Sequence, residues 1–393
     1  MPSDPKYQRV QVHLKALEKK VKQLSDDVSP KTARPTIKLG RNMPLIIKKA
    51  LSLPEFKNKT VLTDSTWRYV EIYLNKSKVA GAKDALFYWQ QANNFYEATK
   101  SLDLISSPLT TYYCFLNATK ALLILKGVKF DTKHGVSGAP KDGHVVLQNE
   151  VVTFKTQGIL SSLCRYLGEP IDHRAVTNPS TTRGFYRYNL KDMLYNLEYI
   201  HRAYTLTYPR ETELFIPIVL PRFVYDKSRK KGWFETQLEK EHSNSKTLNK
   251  LKGYSLDRKY DNTEYYTIRR NRTFEWYTYR NKPTTQSEDA MQRYYKNIRN
   301  QLRYIYSPSN LWYIKRRDNP TGLIERSSLT LTFAAMHRLS ELARYDPRRL
   351  SKHLEKDSNW LLSEFITKSL YQFIDQISSE ITGDDFRVTG FRA

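Results

Sequence analysis

Cysteine is scarce in this 393-residue chain, which contains only Cys114 and Cys164. Two cysteines without a C-x-x-C spacing provide neither a disulfide framework nor a zinc-binding pattern. Both lie in apolar stretches with helical spacing, so we expect two buried thiols in the core. The sequence therefore excludes the class of small secreted proteins that disulfides stabilise.

Long apolar runs are also missing. The chain has no stretch of about 18 apolar residues, the length that marks a membrane span, and no secretory segment follows Met1. Its mean hydropathy is -0.65. These features predict a cytoplasmic protein without a membrane partner.

Motifs for common cofactors are absent as well. The sequence contains no G-x-x-x-x-G-K-[ST], no G-x-G-x-x-G after a strand and no H-E-x-x-H. Its eight histidines do not cluster. We therefore predict no cofactor and no metal site.

Positive charge, by contrast, is abundant. The 65 Lys+Arg and 40 Asp+Glu give a formal net charge of +25, which favours a polyanionic partner, nucleic acid first. Residues 222–318 hold 23 Lys+Arg, 11 Asp+Glu and 18 aromatic residues. Cations interleaved with Tyr and Trp are typical of surfaces that bind single-stranded nucleic acid, because cations bind phosphates and rings stack on unpaired bases.

Two strands and a helix are predicted in this basic segment. Residues 265–268 and 274–279 have strand-like composition and flank a basic turn, and residues 291–305 have an amphipathic helical pattern. The candidate nucleic-acid contacts are the arginines of the turn and of the helix: Arg269, Arg270, Arg272 and Arg299. The alternative, which has equal weight, is that the tyrosines are half-buried on a sheet and the arginines are simply solvated.

The most apolar helical pattern covers residues 107–127, with Pro108 in its first turn and Gly127 at its end. Apolar residues surround it, which predicts a helix buried among other helices. One polar stripe remains, at Tyr113, Asn117 and Lys120. The stripe is either a set of satisfied core groups or the wall of a polar pocket that includes the glycine-flanked His134. A histidine in such a turn also has a purely structural alternative.

Four segments are predicted along the chain. Residues 1–62 form an amphipathic N-terminal arm and a basic linker, residues 63–204 and 322–393 form two parts of a helical body, and residues 205–321 form a basic, aromatic, β-rich insertion. The apolar stripe of the arm is Val10, Leu14, Leu17, Val21 and Leu24. The fold class is therefore predicted as mainly α with an inserted β-rich segment, α+β overall.

Three local predictions complete this division. Residues 31–62 contain prolines among many lysines and predict an extended connector. Residues 145–147 and 151–154 predict a short hairpin. Residues 192–204 predict one helix.

Two distant stretches resemble one bacterial family, the YaaC-like family. Residues 339–347 resemble its C-terminal L-S-x-L-A-R-Y-x-P signature. The first stretch begins with P-L-x-x-Y-Y-x-x-x-x-x-x-K-A-L-L at residues 108–123. It continues with K-H-G-V at residues 133–136 and E-V-V at residues 150–152, which Lys155 and Gly158 follow. This stretch is also similar in style to HEPN helical domains.

The resemblance implies a HEPN-like helical body and association with RNA, nucleotides or a prokaryotic defence or stress system. The candidate ligand-binding residues in and near the two signatures are Tyr113, Asn117, Lys120, His134, Lys155 and Arg344. The favoured alternative for Arg344 is an arginine that fixes two helices through backbone carbonyls. HEPN ribonucleases carry R-x(4-6)-H, which binds and activates the ribose 2′-hydroxyl and the scissile phosphate. Arg348 and His353 have this spacing, so they and His134 are the catalytic candidates.

Three functions are expected from these observations. The first is a nucleic-acid-associated protein of a defence or stress system, which binds RNA or single strands and is non-catalytic or conditionally active. The second is a HEPN-like, metal-independent ribonuclease. The third is a structural subunit of a larger defence assembly, whose N-terminal arm binds a protein partner or a second copy of the chain. Whether the protein is an enzyme stays open.

Overall fold

The computed structural model describes residues 13–18, 20–21, 34–39, 43–141, 143–172, 185–279, 282–307, 311–318 and 320–388. The helices from residue 66 onward are α1 (Thr66–Lys76), α2 (Ala82–Thr99), α3 (Ser107–Leu125), α4 (Ile159–Leu167), α5 (Leu190–Tyr195), α6 (His201–Thr207), α7 (Ser245–Asn249), α8 (Thr285–Arg299), α9 (Ser328–Tyr345), α10 (Pro347–Leu354) and α11 (Asn359–Thr382). Residues 13–18 and 20–21 are also helical, and short 3₁₀ helices cover Leu147–Asn149, Glu198–Ile200 and Arg258–Tyr260.

The strands form several sheets. They are β1 (Lys38–Leu39), β2 (Met43–Pro44), β3 (Val61–Thr63), β4 (Val136–Pro140), β5 (Glu150–Phe154), β6 (Arg187–Asn189), β7 (Phe215–Asp226), β8 (Lys231–Glu239), β9 (Tyr254–Leu256), β10 (Tyr265–Arg270), β11 (Phe274–Glu275), β12 (Thr278–Tyr279), β13 (Lys282–Pro283), β14 (Leu302–Ile305), β15 (Leu311–Lys315) and β16 (Phe386–Val388). The largest sheet has the order β14-β15-β7-β8-β10-β9, with β11 also paired to β8.

Helix α3 lies at the centre of the larger hydrophobic core. Its residues are buried on nearly every side, as the apolar pattern predicts, and it packs against α2, α9 and α11. Gly127 ends the helical segment with φ +66°, and its amide donates to the carbonyl of Ile124 at 3.0 Å. Elements from both sides of the β-rich segment therefore share one core.

A second core lies under the large sheet. The inner face of the sheet and α8 bury Phe223, Phe234 and Tyr295 together with the N-terminal segment around Ile37. Helix α8 begins at an N-cap, Thr284, whose side chain accepts a hydrogen bond from the backbone.

The prediction of a mainly α fold with a HEPN-like body is wrong. The structure is 46% helical and 20% strand and carries several sheets, so it is a mixed α/β protein, for which the broader α+β description fits. The predicted helical body contains a sheet of its own, β4-β5-β6, and its strand β16 pairs in parallel with β3 at the end of the predicted linker. These strands are three to five residues long, so they produce little local periodicity.

Several local predictions were also wrong in detail. The partner of β5 is β4 rather than residues 145–147, and β10 and β11 do not pair with each other because both pair with β8. Residues 192–204 contain two short helices separated by a 3₁₀ turn, and the pattern of residues 291–305 divides into α8 and β14.

Residues 43–51, within the predicted connector, join the two cores. Lys49 is buried, its Nζ lies 2.8 Å from Asp375 of α11, and its amide donates to Asp385 at 2.8 Å. The amide of Leu51 donates to the buried carboxylate of Glu380 at 2.5 Å. The lysines of this segment therefore compensate buried acids of the larger core.

Candidate functional site

The two sequence signatures meet at one cluster of polar and aromatic side chains. Tyr112 of α3 is buried, and its hydroxyl lies 2.6 Å from Nδ1 of His134 in the loop before β4. The ring of His337, on α9, packs edge-on against Tyr112 with centroids 4.8 Å apart. Glu341 follows one turn later, with Oε1 3.6 Å from Nδ1 of His337. We name these four residues the histidine cluster.

Backbone contacts fix His134 in this position. The amide of Leu160, at the start of α4, donates to the carbonyl of His134 at 3.1 Å. Gly135 and Gly158 have φ values of +79° and +111°, and a Cβ on Gly158 would lie 2.4 Å from the amide nitrogen of Gly135. Only glycine tolerates both the positive φ at these two positions and the close approach of their backbones. The K-H-G-V turn and Gly158 therefore form one structural unit.

The imidazole of His134 is exposed beside two cations. Burial of part of the ring lowers its pKa, Lys120 and Arg344 lower the pKa further, and Glu341 opposes them. Burial also raises the pKa of Tyr112 well above its ordinary value. Tyr112 therefore stays protonated, and we assign its hydroxyl as the donor to Nδ1 of a neutral imidazole, with the ring proton on Nε2.

A buried carboxylate, Glu150 of β5, supports the cluster. It accepts hydrogen bonds from Arg338 of α9 at 2.7 Å and from Arg349 and His353 of α10 at 2.5 and 2.9 Å. Burial opposes ionisation, but these three donors lower the pKa of Glu150 to about 2. Arg338 also donates to Glu341 at 3.1 Å. Glu150 therefore connects β5, α9 and α10 and positions Glu341 through Arg338.

The predicted polar stripe of α3 divides into core groups and one half-buried cation. Tyr113 stacks on Phe95, with ring centroids 5.4 Å apart. Asn117 is buried and donates to the carbonyl of Tyr113 on its own helix at 2.8 Å, so it is a satisfied core group. Lys120 is half-buried against a tyrosine ring of α2, burial lowers its pKa, and its charge acts on His134.

Lys155 and Arg344 contact aromatic rings. Nζ of Lys155 lies 5.1 Å from the ring centroid of Phe185. Arg344 is exposed, with its guanidinium 4.9 Å from the ring centroid of Tyr345 on the same helix. The favoured interpretation of Arg344 as a bridge between helices is therefore wrong, because its contact is local and leaves the cation accessible.

The four arginines predicted in the basic segment differ in exposure. Arg272 is exposed, whereas Arg269 and Arg270 are half-buried. Arg299 is buried, so the structure does not place it on a binding surface. Its guanidinium donates to three backbone carbonyls, of Lys48 (2.9 Å), Lys49 (2.6 Å) and Leu302 (2.7 Å). Arg299 instead holds the segment that joins the two cores.

Arg348 and His353, the pair with the R-x(4-6)-H spacing of HEPN ribonucleases, do not form a solvent-accessible site. His353 is fully buried, with its Nε2 on Glu150, whereas Arg348 is exposed. A histidine in this environment has no access to a scissile phosphate. Among the three catalytic candidates, His134 is the exposed histidine.

Both cysteines are buried, which confirms the expected core thiols, and burial raises the pKa of each. The part of the chain that the structure describes contains no group of three or more His, Cys, Asp or Glu side chains able to hold a metal ion. Within the same residues, no helix has the length and apolar character needed to cross a membrane.

One feature was missed by the sequence analysis. A cleft of about 500 Å³ is lined by six aromatic rings and by the Lys49–Asp375 ion pair. Two of these rings, Tyr306 and Tyr371, stack with an interplanar angle of 7°. The lining comes from separate segments of the chain, so no local motif could have indicated it.

The fold and site together define a mixed α/β protein in which a buried carboxylate and a central helix present an exposed histidine between cations. The family model described as YaaC-like Protein matches residues 56–381. The chain belongs to the YaaC-like protein family. No curated protein and no solved structure matches it.

Proposed function

We propose that this YaaC-like protein binds single-stranded nucleic acid, RNA in particular, through phosphate contacts at the histidine cluster. The observation that supports the proposal is that the charges of Lys120 and Arg344 both act on His134, although Arg344 lies more than 200 positions away from the other two residues. Lys120 and Arg344 contact tyrosine rings, and neither forms an ion pair with a carboxylate of the described residues. A phosphate placed there gains two charge-assisted contacts and the imidazole N–H.

Charge outside the cluster supports the same proposal. Arg348 and Lys352 on α10 are exposed, and neither pairs with a carboxylate among the residues described. The chain as a whole carries a formal net charge of +25. Binding to a polyanion releases condensed counterions, so cations of this kind contribute affinity without sequence specificity.

A fluorescence anisotropy titration tests this function. Labelled single-stranded RNA and DNA oligonucleotides are titrated with the protein between about 50 and 200 mM salt, the range over which phosphate contacts lose affinity steeply. We expect binding whose log K falls linearly with log salt, and stronger binding of RNA than of DNA. Absence of salt-sensitive binding to both would overturn the proposal.

A ribonuclease activity is the second candidate, and the exposed neutral imidazole of His134 favours it. For Nε2 of His134 to accept the proton of a ribose 2′-hydroxyl, the ring proton must lie on Nδ1 and be donated to the hydroxyl oxygen of Tyr112, while Lys120 and Arg344 bind the phosphate. Incubation of the same RNA with wild-type protein and His134→Ala distinguishes binding from cleavage. Loss of cleavage in His134→Ala, with binding retained, supports catalysis; equal cleavage by both proteins contradicts it.

Assembly through the N-terminal arm is the third candidate. Leu14, Leu17 and Val21 are 54%, 58% and 60% exposed on the helical part of the arm, whereas Val10 and Leu24 lie outside the described residues. An apolar stripe on a helix is typical of a docking surface. Size-exclusion chromatography with and without residues 1–30 should show a smaller assembly for the truncated protein. A role in defence or stress is tested by growth arrest on expression.

A further inference from the structure

A cavity of about 210 Å³ lies where the large sheet meets the helical core. Its walls come from the end of α4 at residues 167–170, the turn between α8 and β14, the end of β15, and residues 323–327 before α9. None of its lining residues belongs to the histidine cluster. The cavity is therefore a separate feature, and what it binds does not depend on the nucleic-acid function proposed above.

Cations predominate in this cavity, which has five cationic side chains and two carboxylates in its lining. Three of the cations are paired with carboxylates: Arg326 with Glu169 at 3.1 Å, Arg317 with Glu325 at 2.7 Å and Arg316 with Asp318 at 2.5 Å. Both lining carboxylates are thus already engaged. The remaining cations, Arg303 and Lys315, form no ion pair with any of the described residues.

Arg303 and Lys315 are also deeply buried, at 6% and 4% exposure. Nζ of Lys315 donates to the carbonyl of Ile324 at 2.7 Å, which uses one of its three N–H groups. The guanidinium of Arg303 donates to the carbonyls of Asn300 (2.9 Å), Leu302 (3.0 Å) and Arg326 (3.1 Å), whereas its Nε is buried without a hydrogen-bond partner. Lys315 and Arg303 therefore both carry unused hydrogen-bond donors in the buried part of this cavity wall.

Burial disfavours the charged form of both side chains. Burial lowers the pKa of Arg303 to about 10, and burial together with the charge of Arg303 lowers the pKa of Lys315 well below its ordinary value. A buried charge without a partner is strongly destabilising, whereas an anion of suitable geometry removes the penalty and satisfies the free donors. The unpaired N–H donors therefore favour a ligand with negative charge.

We propose that this cavity binds a phosphate monoester or free phosphate through Nζ of Lys315 and Nε of Arg303. Its volume holds about seven waters at roughly 30 Å³ each and is smaller than the roughly 300–1,000 Å³ of pockets that take drug-sized ligands. The occupant is therefore one phosphate with at most a small organic group. Leu51 and Leu323 supply apolar wall beside the charged groups.

Isothermal titration calorimetry of the full chain with inorganic phosphate and with ribose 5-phosphate, in buffer free of phosphate and sulfate, tests the proposal. We expect saturable binding of ribose 5-phosphate, with competition by phosphate if the phosphate group alone is recognised. Lys315→Met keeps the length of the side chain and removes the charge. It should weaken binding about tenfold to a hundredfold, the loss expected for a charge-assisted hydrogen bond.

Lys126→Met is the matched control, because Lys126 is half-buried and also donates one hydrogen bond to a carbonyl, that of Ile381 at 3.0 Å. This variant should bind like the wild type. Thermal unfolding without ligand shows whether the variants are folded, and Lys315→Met should unfold at the same or a higher temperature because it removes an unpaired buried charge. Absence of binding of both ligands to the wild type, or unchanged binding by folded Lys315→Met, would overturn the proposal.

Discussion

The hydroxyl of Tyr112 and Nδ1 of His134 lie 2.6 Å apart, although 22 positions separate the two residues in the sequence. Tyr112 belongs to a helix that is buried on nearly every side, and His134 lies on an exposed turn. The hydrogen bond therefore couples a rigid core element to an accessible imidazole. Such support from the core gives a binding group one orientation before its ligand arrives.

Substitution of Tyr112 by Phe should raise the pKa of His134 toward its ordinary value. The hydroxyl donates to the neutral imidazole, and loss of a hydrogen bond to the neutral form favours the protonated form. NMR titration of the His134 ring measures the change. Tyr113→Phe is the control, because its ring stacks on Phe95 and does not reach the histidine. An unchanged or lower pKa in Tyr112→Phe would contradict the assigned donor.

The stability of the protein should fall as His337 is forced to accept a proton. Burial, the neighbouring His134 and Arg338 lower the pKa of His337 to about 3 from 6.5. Because the unfolded chain binds this proton at higher pH than the folded chain, the contribution is complete above pH 6.5 and is lost progressively toward pH 3. Urea unfolding at several pH values should give a smaller slope for His337→Gln than for wild type. Equal slopes would contradict this account.

Glu150→Gln should destabilise the fold by about 3–5 kcal/mol, the cost of breaking a buried ion pair from one side. Arg338, Arg349 and His353 would then lose their common anion. In the wild type, the pKa of about 2 means that this stabilisation is complete above pH 4.5 and is lost as pH falls from 4.5 toward 2. Denaturant unfolding at neutral pH measures the change.

An exposed carboxylate provides the control for Glu150. Glu355→Gln at the end of α10 removes a negative charge that accepts one surface hydrogen bond, from Ser351. Its effect should stay within about 0.5 kcal/mol, as for most surface substitutions. If Glu150→Gln and Glu355→Gln have equally small effects, Glu150 does not hold β5, α9 and α10 together.

Gly158→Ala should disrupt the turn that carries His134. Its Cβ would approach the backbone of Gly135 to 2.4 Å at a φ of +111°, so we expect a loss of about 3–4 kcal/mol from overpacking and backbone strain combined. Gly127→Ala shares the positive φ, but open space surrounds its Cβ position, so it should lose only about 1–2 kcal/mol. Chemical denaturation measures the loss of stability in both variants, and the difference between the two losses is the contribution of the steric clash at Gly158. Equal losses would show that the approach of Gly158 to Gly135 is not tight.

Sequence patterns that extend over a few residues correctly predicted the features of α3 that depend on local interactions. The proline and glycine at the ends of α3 indicated that helix, and its apolar circumference indicated a buried position, because caps and periodicity act over a few residues. His134 was singled out as a candidate because Gly135 follows it, whereas its partner Tyr112 was predicted only as an apolar position of α3. The partners on α9 could not be derived, because they approach across more than 200 positions of sequence.

Burial of charged side chains was the main limit of the sequence analysis. Arg299 and His353 have ordinary polar surroundings in sequence, yet one binds carbonyls of a segment 250 positions away and the other binds Glu150. The same holds for Arg303 and Lys315, which resemble the solvated cations around them until the sheet folds against the helical core. Strand pairing failed for the same reason, since β8 recruits partners that local alternation does not specify.

The central claim is that the two family signatures form one phosphate-binding surface, and the salt dependence of RNA binding by Lys120→Met/Arg344→Met tests it most directly. The control, Lys57→Met/Arg68→Met, removes the same charge from exposed residues outside the cluster. We expect the first variant to bind about tenfold or more weakly and to have a log K against log salt slope smaller by about 1.4, since each phosphate contact to a single strand contributes about 0.7. Wild-type affinity and slope in that variant, or an equal loss in the control, would contradict the claim.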